Sequence, residues 1–268
     1  MKICITGYSG FLGSYLSKHF AKKFTIKKVN LRKMPNLEDS DLNKILDKIT
    51  NSNFIINCAA SLKPKTPRDF FINQDFPHIL QTHIKKKKIK TVLIHISSIN
   101  VLIRDRKDPY TISKKIAEKK LKGTNVIILR LPFLYNEING IIQEQGNLKT
   151  IYNYLNQKFL PIYPMMYPGN LYQPVQVKKI LLFIENIIFK KRKLNKIYNI
   201  VGKDKKSLWD LYYQIASYKK KRILKIHIQH IKKLIPTFVR EYIKKHKNLL
   251  QQLLIIDNSK FAGKKTYL

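Results

Sequence analysis

The stretch Lys2-Ile3-Cys4-Ile5-Thr6-Gly7-Tyr8-Ser9-Gly10-Phe11-Leu12-Gly13 decides the fold. Lys2 to Thr6 reads as a short buried strand. Leu12, Tyr15, Leu16, His19 and Phe20 then recur at i, i+3, i+4, i+7 and i+8, one face of a helix. Between them the glycines fall in a G-x-x-G-x-x-G spacing. Gly7 permits a tight turn, Gly10 lets backbone approach a pyrophosphate, and Gly13 lets the helix pack close on the sheet. The helix N-terminus faces the phosphates with unsatisfied N–H groups and the positive end of its dipole. Gly7, Ser9, Gly10, Phe11, Leu12 and Gly13 are therefore candidate dinucleotide-binding residues. The chain has nine glycines, and three of them lie in this one turn.

Working outward, strand and helix alternate. Thr25 to Leu31, Phe54 to Asn57, Thr91 to Ile96 and Val126 to Arg130 read as strands, with a helix over Leu42 to Ile49. The strands are β-branched runs without polar alternation, the pattern of parallel strands covered on both faces. The fold class expected is α/β, a Rossmann doubly wound parallel sheet with a small C-terminal substrate lobe. Residues 1–135 are the expected NAD(P)-binding domain. Residues 136–268 are a mixed C-terminal region, mainly the lobe, with elements returning to the core. In that region 136–174 reads as loops with short helices, and Val177 to Ile188 as a helix. Ile197 to Val201 reads as a strand, and a helix is capped by Ser207 with Asp210. Lys219 to Leu254 reads as helical, broken at Pro236.

The chain has 268 residues, 53 Lys+Arg against 16 Asp+Glu and a formal net charge of +37. With 44% hydrophobic residues a real core is available, so general disorder is excluded. Two cysteines exclude a disulfide-stapled scaffold and a Cys-rich zinc module, and fit a reducing compartment. Met1 leads straight into the first strand without a secretory leader pattern, so a cytoplasmic location is expected. Only eight of the basic residues are Arg. Phosphate recognition favours the Arg fork, so the Lys excess, with abundant Ile and Asn, reads mainly as A+T-rich codon usage. The low Arg count and missing aromatic RNA motifs argue against nucleic acid.

The second strand should end beside an adenosine ribose, where an NAD site places an acid. The sequence there is Val29-Asn30-Leu31-Arg32-Lys33. Arg32 suits a 2′-phosphate, so NADP(H) is expected over NAD(H). Further on, Asp108-Pro109-Tyr110-Thr111-Ile112-Ser113-Lys114 supplies an N-cap, a first-turn proline, and Tyr110 and Lys114 one turn apart. A phenol has an unperturbed pKa of ~10, and a nearby ammonium lowers it. Ser97 and Ser98 close the strand beginning at Val92, at the sheet edge where such folds bind ligands. Ser98, Tyr110 and Lys114 are the candidate catalytic residues.

With these motifs in place, the sequence resembles the short-chain dehydrogenase/reductase superfamily, in its extended and atypical branches of NAD-dependent epimerases, dehydratases and reductases of nucleotide sugars. The matching residues are the glycine turn, Asn57-Cys58-Ala59-Ala60, Asn73, Ser97-Ser98, Tyr110 with Lys114, Leu129-Arg130-Leu131-Pro132 and Ile197 to Gly202. The resemblance implies that Ala59 and Ala60 pack along the cofactor by backbone and that Ser98 orients the substrate oxygen. It also implies that Lys114 holds the nicotinamide ribose and that Pro132 lies near the nicotinamide. It implies an oxidoreductase or isomerase acting on a nucleotide sugar, of the kind that supplies surface polysaccharide synthesis. One departure is the short spacing from Ser98 to Tyr110, where Val101-Leu102-Ile103 stands in place of a longer V-Y-G loop. That short loop, with Leu160 to Pro164 and Tyr172 to Val175, is similar to the nucleotide-binding accessory subunit of respiratory complex I. The alternative expectation is therefore a non-catalytic NADP(H)-binding accessory or assembly subunit.

The partner expected is a nucleotide-sugar substrate, and a homodimer is left open. His227, His230 and His246 read as solvated helix histidines rather than metal ligands, since no acid or Cys stands at ligand spacing. The Lys-rich 219–254 segment reads as an amphipathic cover for the lobe, with contact to an anionic membrane surface as the weaker alternative.

Overall fold

The computed structural model describes residues 1–31, 39–104, 106–121, 123, 125–157, 161–190, 196–227, 259–261 and 263–268. Arg32, Lys33, Leu160 and the helical expectation for residues 228–254 lie outside the described residues. The chain folds as two compact units: 1–131 with 177–200 and 262–268, and 132–176 with 201–261.

The first unit is built on a seven-stranded sheet. Its strands are β1 (Lys2–Thr6), β2 (Thr25–Val29), β3 (Phe54–Asn57), β4 (Val92–Ser98) and β5 (Val126–Leu131), then Lys196–Val201 and Lys265–Tyr267. From one edge to the other the order is β2, β1, β3, β4, β5, Lys196–Val201 and Lys265–Tyr267. β1 pairs in parallel with both β2 and β3, β4 with both β3 and β5, and Lys196–Val201 with β5. Reversal of strand order at β1 and β3 makes a switch point, so the crevice lies beyond the carboxyl ends of these strands.

Apolar residues on both strand faces explain the layering. Cys4, Val29, Ile55, Leu93 and Ile128 form one buried cluster with Leu46 and Ile49 of α2 (Asp39–Thr50) and Phe76, Leu80 and Ile84 of α4 (Phe76–Lys86). The alternate residues Ile3, Ile5, Ile56, Ile94 and Ile127 are buried as well, as a parallel sheet covered twice requires. α1 (Phe11–Phe20) and α7 (Val177–Phe189) are tied to each other by Glu185, which binds His19 Nε2 at 2.7 Å and Lys23 Nζ.

Between β3 and β4 the chain forms one continuous helical run: α3 (Pro67–Phe70), a π turn over Phe71–Asp75, and α4. The π turn is a local widening of the kind that marks functional sites. α5 (Pro109–Lys120) follows β4 through a 3₁₀ turn, Ile99–Leu102.

The second unit has its own core. Leu148, Ile151 and Leu155, of and around α6 (Lys149–Leu155), pack with Tyr163, and with Leu211 and Ile215 of α8 (Leu208–Tyr218). Ser207 and Asp210 form the expected reciprocal cap of α8. Ile223–His227 departs from expectation. Read as helix from its Lys-rich amphipathic spacing, it is a strand that pairs in parallel with Tyr163–Tyr167. A partner sixty residues away satisfies its backbone, and that tertiary pairing overrides local propensity. No helix among the described residues is long and apolar enough to cross a membrane.

Candidate active site

The glycine turn divides its labour differently from the simple spacing argument. Gly7 has φ +69°, and a Cβ there would stand 2.7 Å from Ala59 backbone, so both conformation and space demand glycine. At Gly13 a Cβ would meet the Gly7 carbonyl oxygen at 2.2 Å. Gly13 thus lets the first turn of α1 close on the glycine turn itself. Gly10 differs from both: it caps α1 at φ −76°, and its nearest obstacle is the Gly7 oxygen at 3.3 Å. The turn is held by Gly7 N–H donating to Val29 O at 3.2 Å and Gly10 N–H to Gly7 O at 3.0 Å.

Beside it lies a groove of about 100 Å³ lined by Gly7, Ser9, Gly10, Asn30, Leu31, Cys58, Ala59, Ala60, Ser61, Asp69 and Ile72. Five of the residues proposed from sequence therefore meet at one place, Gly7, Ser9, Gly10, Ala59 and Ala60, and Phe11 opens α1 next in the chain. The fit to a dinucleotide is good on two counts. The helix start carries no side-chain cap, leaving its first N–H groups for an anion. Gly10 needs glycine for neither φ nor packing, so its missing side chain leaves room in the cradle. Leu12 and Gly13 complete the first turn. Pro132 follows β5 directly and falls in the second unit.

Side chains at the sheet's carboxyl edge lock the neighbouring loops. Thr6 Oγ1 donates to Asn57 Oδ1 at 2.6 Å, and Asn57 Nδ2 lies 3.2 Å from His95 Nδ1, joining β1, β3 and β4. Burial, with Lys114 adding in the same direction, holds the His95 imidazole well below its usual pKa, so it is neutral. Asn73, in the π turn and fully buried, accepts from Ser61 N–H at 2.8 Å. It donates to Ser61 O at 2.9 Å and to Ser113 Oγ at 3.0 Å. Ser113 Oγ in turn donates to Tyr110 O at 2.7 Å. Asn73 thereby ties the loop 58–61 to the turn of α5 that carries Tyr110.

α5 begins as expected. Asp108 caps it, accepting from Thr111 N–H at 3.0 Å and Thr111 Oγ1 at 2.7 Å, and Pro109 opens the first turn. Ser98 ends β4 and accepts from Asn100 N–H at 3.2 Å. Ser97 is committed elsewhere: its Oγ lies 2.5 Å from Glu118 Oε1. Glu118 is itself gripped by Arg130, with Nη2 at 2.5 Å and Nε at 3.0 and 3.1 Å from the carboxylate. The Ser97–Glu118–Arg130 network pins α5 to β4 and β5.

The proton chemistry departs from expectation. Lys114 is 1% exposed, and its Nζ donates to Ile96 O at 2.9 Å. Burial brings its pKa down to about 8, against the opposing pull of Cys58 and Glu118. The Tyr110 phenol is pushed up to about 12 by burial and the Asp108 carboxylate, with Arg106 opposing. The expected lowering of the phenol by Lys114 is not what sets it here: the ammonium is spent on a β4 carbonyl, and desolvation disfavours the phenolate. The Tyr110 phenol thus keeps its proton at physiological pH.

Sequence reasoning missed Ser61, Ser113, Asp69 and Arg68. The last donates Nη2–H to Leu31 O at 2.9 Å.

No family model matches the chain. A UDP-2-acetamido-2,6-beta-L-arabino-hexul-4-ose reductase of Pseudomonas aeruginosa is 28% identical over 144 residues. That match covers 51% of this chain but only 37% of the relative's length. The fold matches a dTDP-4-dehydrorhamnose reductase of Bacillus anthracis in complex with NADP, with a TM-score of 0.68 and 19% identity over 86% of this chain and 85% of that one. It also matches a dTDP-glucose 4,6-dehydratase of Bacillus anthracis in complex with NAD, with a TM-score of 0.64 and 20% identity over 85% and 84%. The chain resembles the extended short-chain dehydrogenase/reductases in sequence and in fold. Its Rossmann-like α/β architecture is the one these structures share.

Proposed function

We propose that this chain is an NAD(P)-dependent oxidoreductase that reduces the keto group of a nucleotide-activated sugar, with NADP(H) as the cofactor before NAD(H). The observation that carries the reading is the placement of the Tyr110 phenol, protonated and one turn from Lys114 at the start of α5. Pushed up to about 12 at the start of α5, it holds its proton and can give it away. Reduction of a ketone needs such a donor, and the same group takes the proton back in the reverse reaction. The names of the similar proteins, two of them reductases of nucleotide-linked keto sugars, support the same substrate class.

The glycine turn with Ser9, Phe11 and Leu12 holds the pyrophosphate. Ala59 and Ala60 line the dinucleotide by backbone, and Pro132 is assigned to the nicotinamide end by resemblance. Ser98 orients the substrate oxygen. The dinucleotide, when bound, supplies the hydride. Tyr110 would give its proton to the carbonyl oxygen as the carbonyl carbon is reduced, its O–H bond breaking and the phenolate taking a proton back from solvent. Lys114, one turn along α5, is assigned to the ribose by resemblance. A nucleotide-sugar substrate fits a cytoplasmic enzyme feeding polysaccharide synthesis.

The accessory-subunit reading predicts cofactor binding without turnover, and the retained Ser98, Tyr110 and Lys114 argue against it. Mixing the protein and NADPH with UDP- and dTDP-linked 4-keto sugars, followed by absorbance at the nicotinamide band, tests the proposal. Oxidation of NADPH by at least one of them is expected. Tight NADPH binding with no oxidation across the panel would favour the accessory subunit.

A further inference from the structure

The helices α1 and α7 lie side by side, and their outward surface carries more than a solvated helix pair needs. Leu16 and Phe20 of α1 and Ile180, Ile184 and Ile187 of α7 are buried, apart from the cluster under α2 and α4. Glu185 joins the two helices through His19 and Lys23, and the Phe24 and Phe189 rings meet at 5.5 Å where both helices end. On the outward side Leu182 is 51% exposed and Phe189 58%. They stand two turns apart on one stripe of α7. Single exposed apolar residues are ordinary, but here two large ones and the half-buried Phe24 ring share one surface.

Lysines frame this stripe. Lys18, Lys22 and Lys23 come from α1 and the turn after it, Lys178 and Lys179 from the first turn of α7, and Lys190 from just past its end, all exposed. The one acid in either helix, Glu185, is 10% exposed and paired with His19 and Lys23. Lys18, Lys22, Lys23 and Lys190 suit the negative ends of their helices. Lys178 and Lys179 do not: at the N-terminus of α7 the dipole opposes cations, and no acid in that turn offsets them. Helix stability therefore does not account for these two.

We infer that the α1–α7 face is a docking surface for an anionic lipid bilayer, with Leu182 and Phe189 entering the headgroup boundary and the lysines around them meeting lipid phosphates. Charge selects this occupant. A second copy of the same face would set lysine against lysine. Nucleic-acid phosphates favour the Arg fork, and neither helix contains an arginine. Nor does a phosphate backbone call for exposed Leu and Phe at the centre of the patch. A bilayer surface takes both parts at once, apolar side chains in the boundary and Lys at the anionic headgroups. Each lysine close to such a surface strengthens binding about fivefold.

The test is sedimentation of the full chain with vesicles of phosphatidylcholine alone and of an equimolar mixture with phosphatidylglycerol, at low and raised salt. The parent should bind the mixed vesicles, less so as salt rises, and leave phosphatidylcholine in solution. Leu182→Gln with Phe189→Gln should weaken binding about tenfold. Lys22→Gln with Lys178→Gln and Lys179→Gln should weaken it about a hundredfold. Lys48→Gln with Lys86→Gln and Lys90→Gln, exposed lysines on the α2–α4 side, removes the same charge elsewhere and should leave binding nearly unchanged. Leu182→Trp reads the place directly: its added emission should shift to the blue on mixed vesicles. Equal loss from the two lysine triples would reduce the effect to net charge and overturn the inference. So would an unshifted Leu182→Trp emission, or a parent that ignores mixed vesicles. Binding of a short RNA duplex through Lys22, Lys178 and Lys179, without vesicle binding, would put nucleic acid in the bilayer's place. A dimer in light scattering that Leu182→Gln with Phe189→Gln dissociates would put a second copy there.

Discussion

A three-glycine series separates a cofactor cradle from a merely tight turn. At Gly13 an added methyl would stand 2.2 Å from the Gly7 oxygen, and at Gly7 it would stand 2.7 Å from Ala59 backbone at a φ of +69°. Both obstacles are main chain and cannot swing aside. Gly13→Ala and Gly7→Ala should therefore each cost about 1–3 kcal/mol or more in the protein without ligand. Gly10→Ala meets only one atom, at 3.3 Å, and keeps an ordinary φ of −76°. Replacing an N-cap glycine by alanine should cost about 0.5–1 kcal/mol. Its methyl does, however, occupy the place of approach for a pyrophosphate. With NADPH at about 100 times its Kd, linkage stabilises the parent by about 2.7 kcal/mol, or roughly 5–10 °C in Tm for a chain this size. The assay is thermal unfolding of parent and variants, with and without NADPH. Gly10→Ala should stay close to the parent without ligand and lose most of the NADPH-induced shift. A full shift in Gly10→Ala would refute the cradle. So would a loss without ligand as large as that of Gly13→Ala.

Two further outcomes follow from the buried charges. Lys114 has a folded pKa of about 8 against ~10.4 in the unfolded chain. Between those values the unfolded chain binds more protons, so the group's contribution makes stability rise with pH across that window. Denaturant midpoints from pH 7 to 10 should show a steeper rise in the parent than in Lys114→Met. Glu118 and Arg130 side chains are 8% and 16% exposed, so Glu118→Ala strands a poorly solvated guanidinium and should cost about 3–5 kcal/mol. Adding Arg130→Met should restore part of that loss in urea unfolding, which strict additivity would contradict.

What was legible from sequence is what is encoded locally. Ile3 to Thr6, the glycine turn and the apolar face of α1 are contiguous, so strand, turn and helix follow from spacing alone. The same holds for Asp108-Pro109 opening α5 and for Ser207 with Asp210 opening α8. What escaped is made by contacts between distant segments. Nothing near Arg68 says that it reaches Leu31. Nothing in Ile223–His227 reveals the strand Tyr163–Tyr167 that makes it a strand rather than a helix. Asn73 stood out as a matching residue, but its work of joining Ser61 to Ser113 appears only when the π turn brings the three together. The proton balance of the site was misjudged for a related reason. Spacing puts Lys114 one turn from Tyr110, but it cannot show that the ammonium is drawn to the Ile96 carbonyl or how far burial raises the phenol.

The most direct test of the central claim is the single-turnover rate of NADPH oxidation by a nucleotide-linked 4-keto sugar in Tyr110→Phe against the parent. The substitution keeps the ring's packing and removes only the ionisable hydroxyl. The glycine turn and Lys114 remain, so NADPH affinity should be unchanged while the rate falls by ~10²-fold or more. A rate equal to the parent's, with NADPH bound as tightly, would show that the proton comes from elsewhere and that Tyr110 is not the acid of this site.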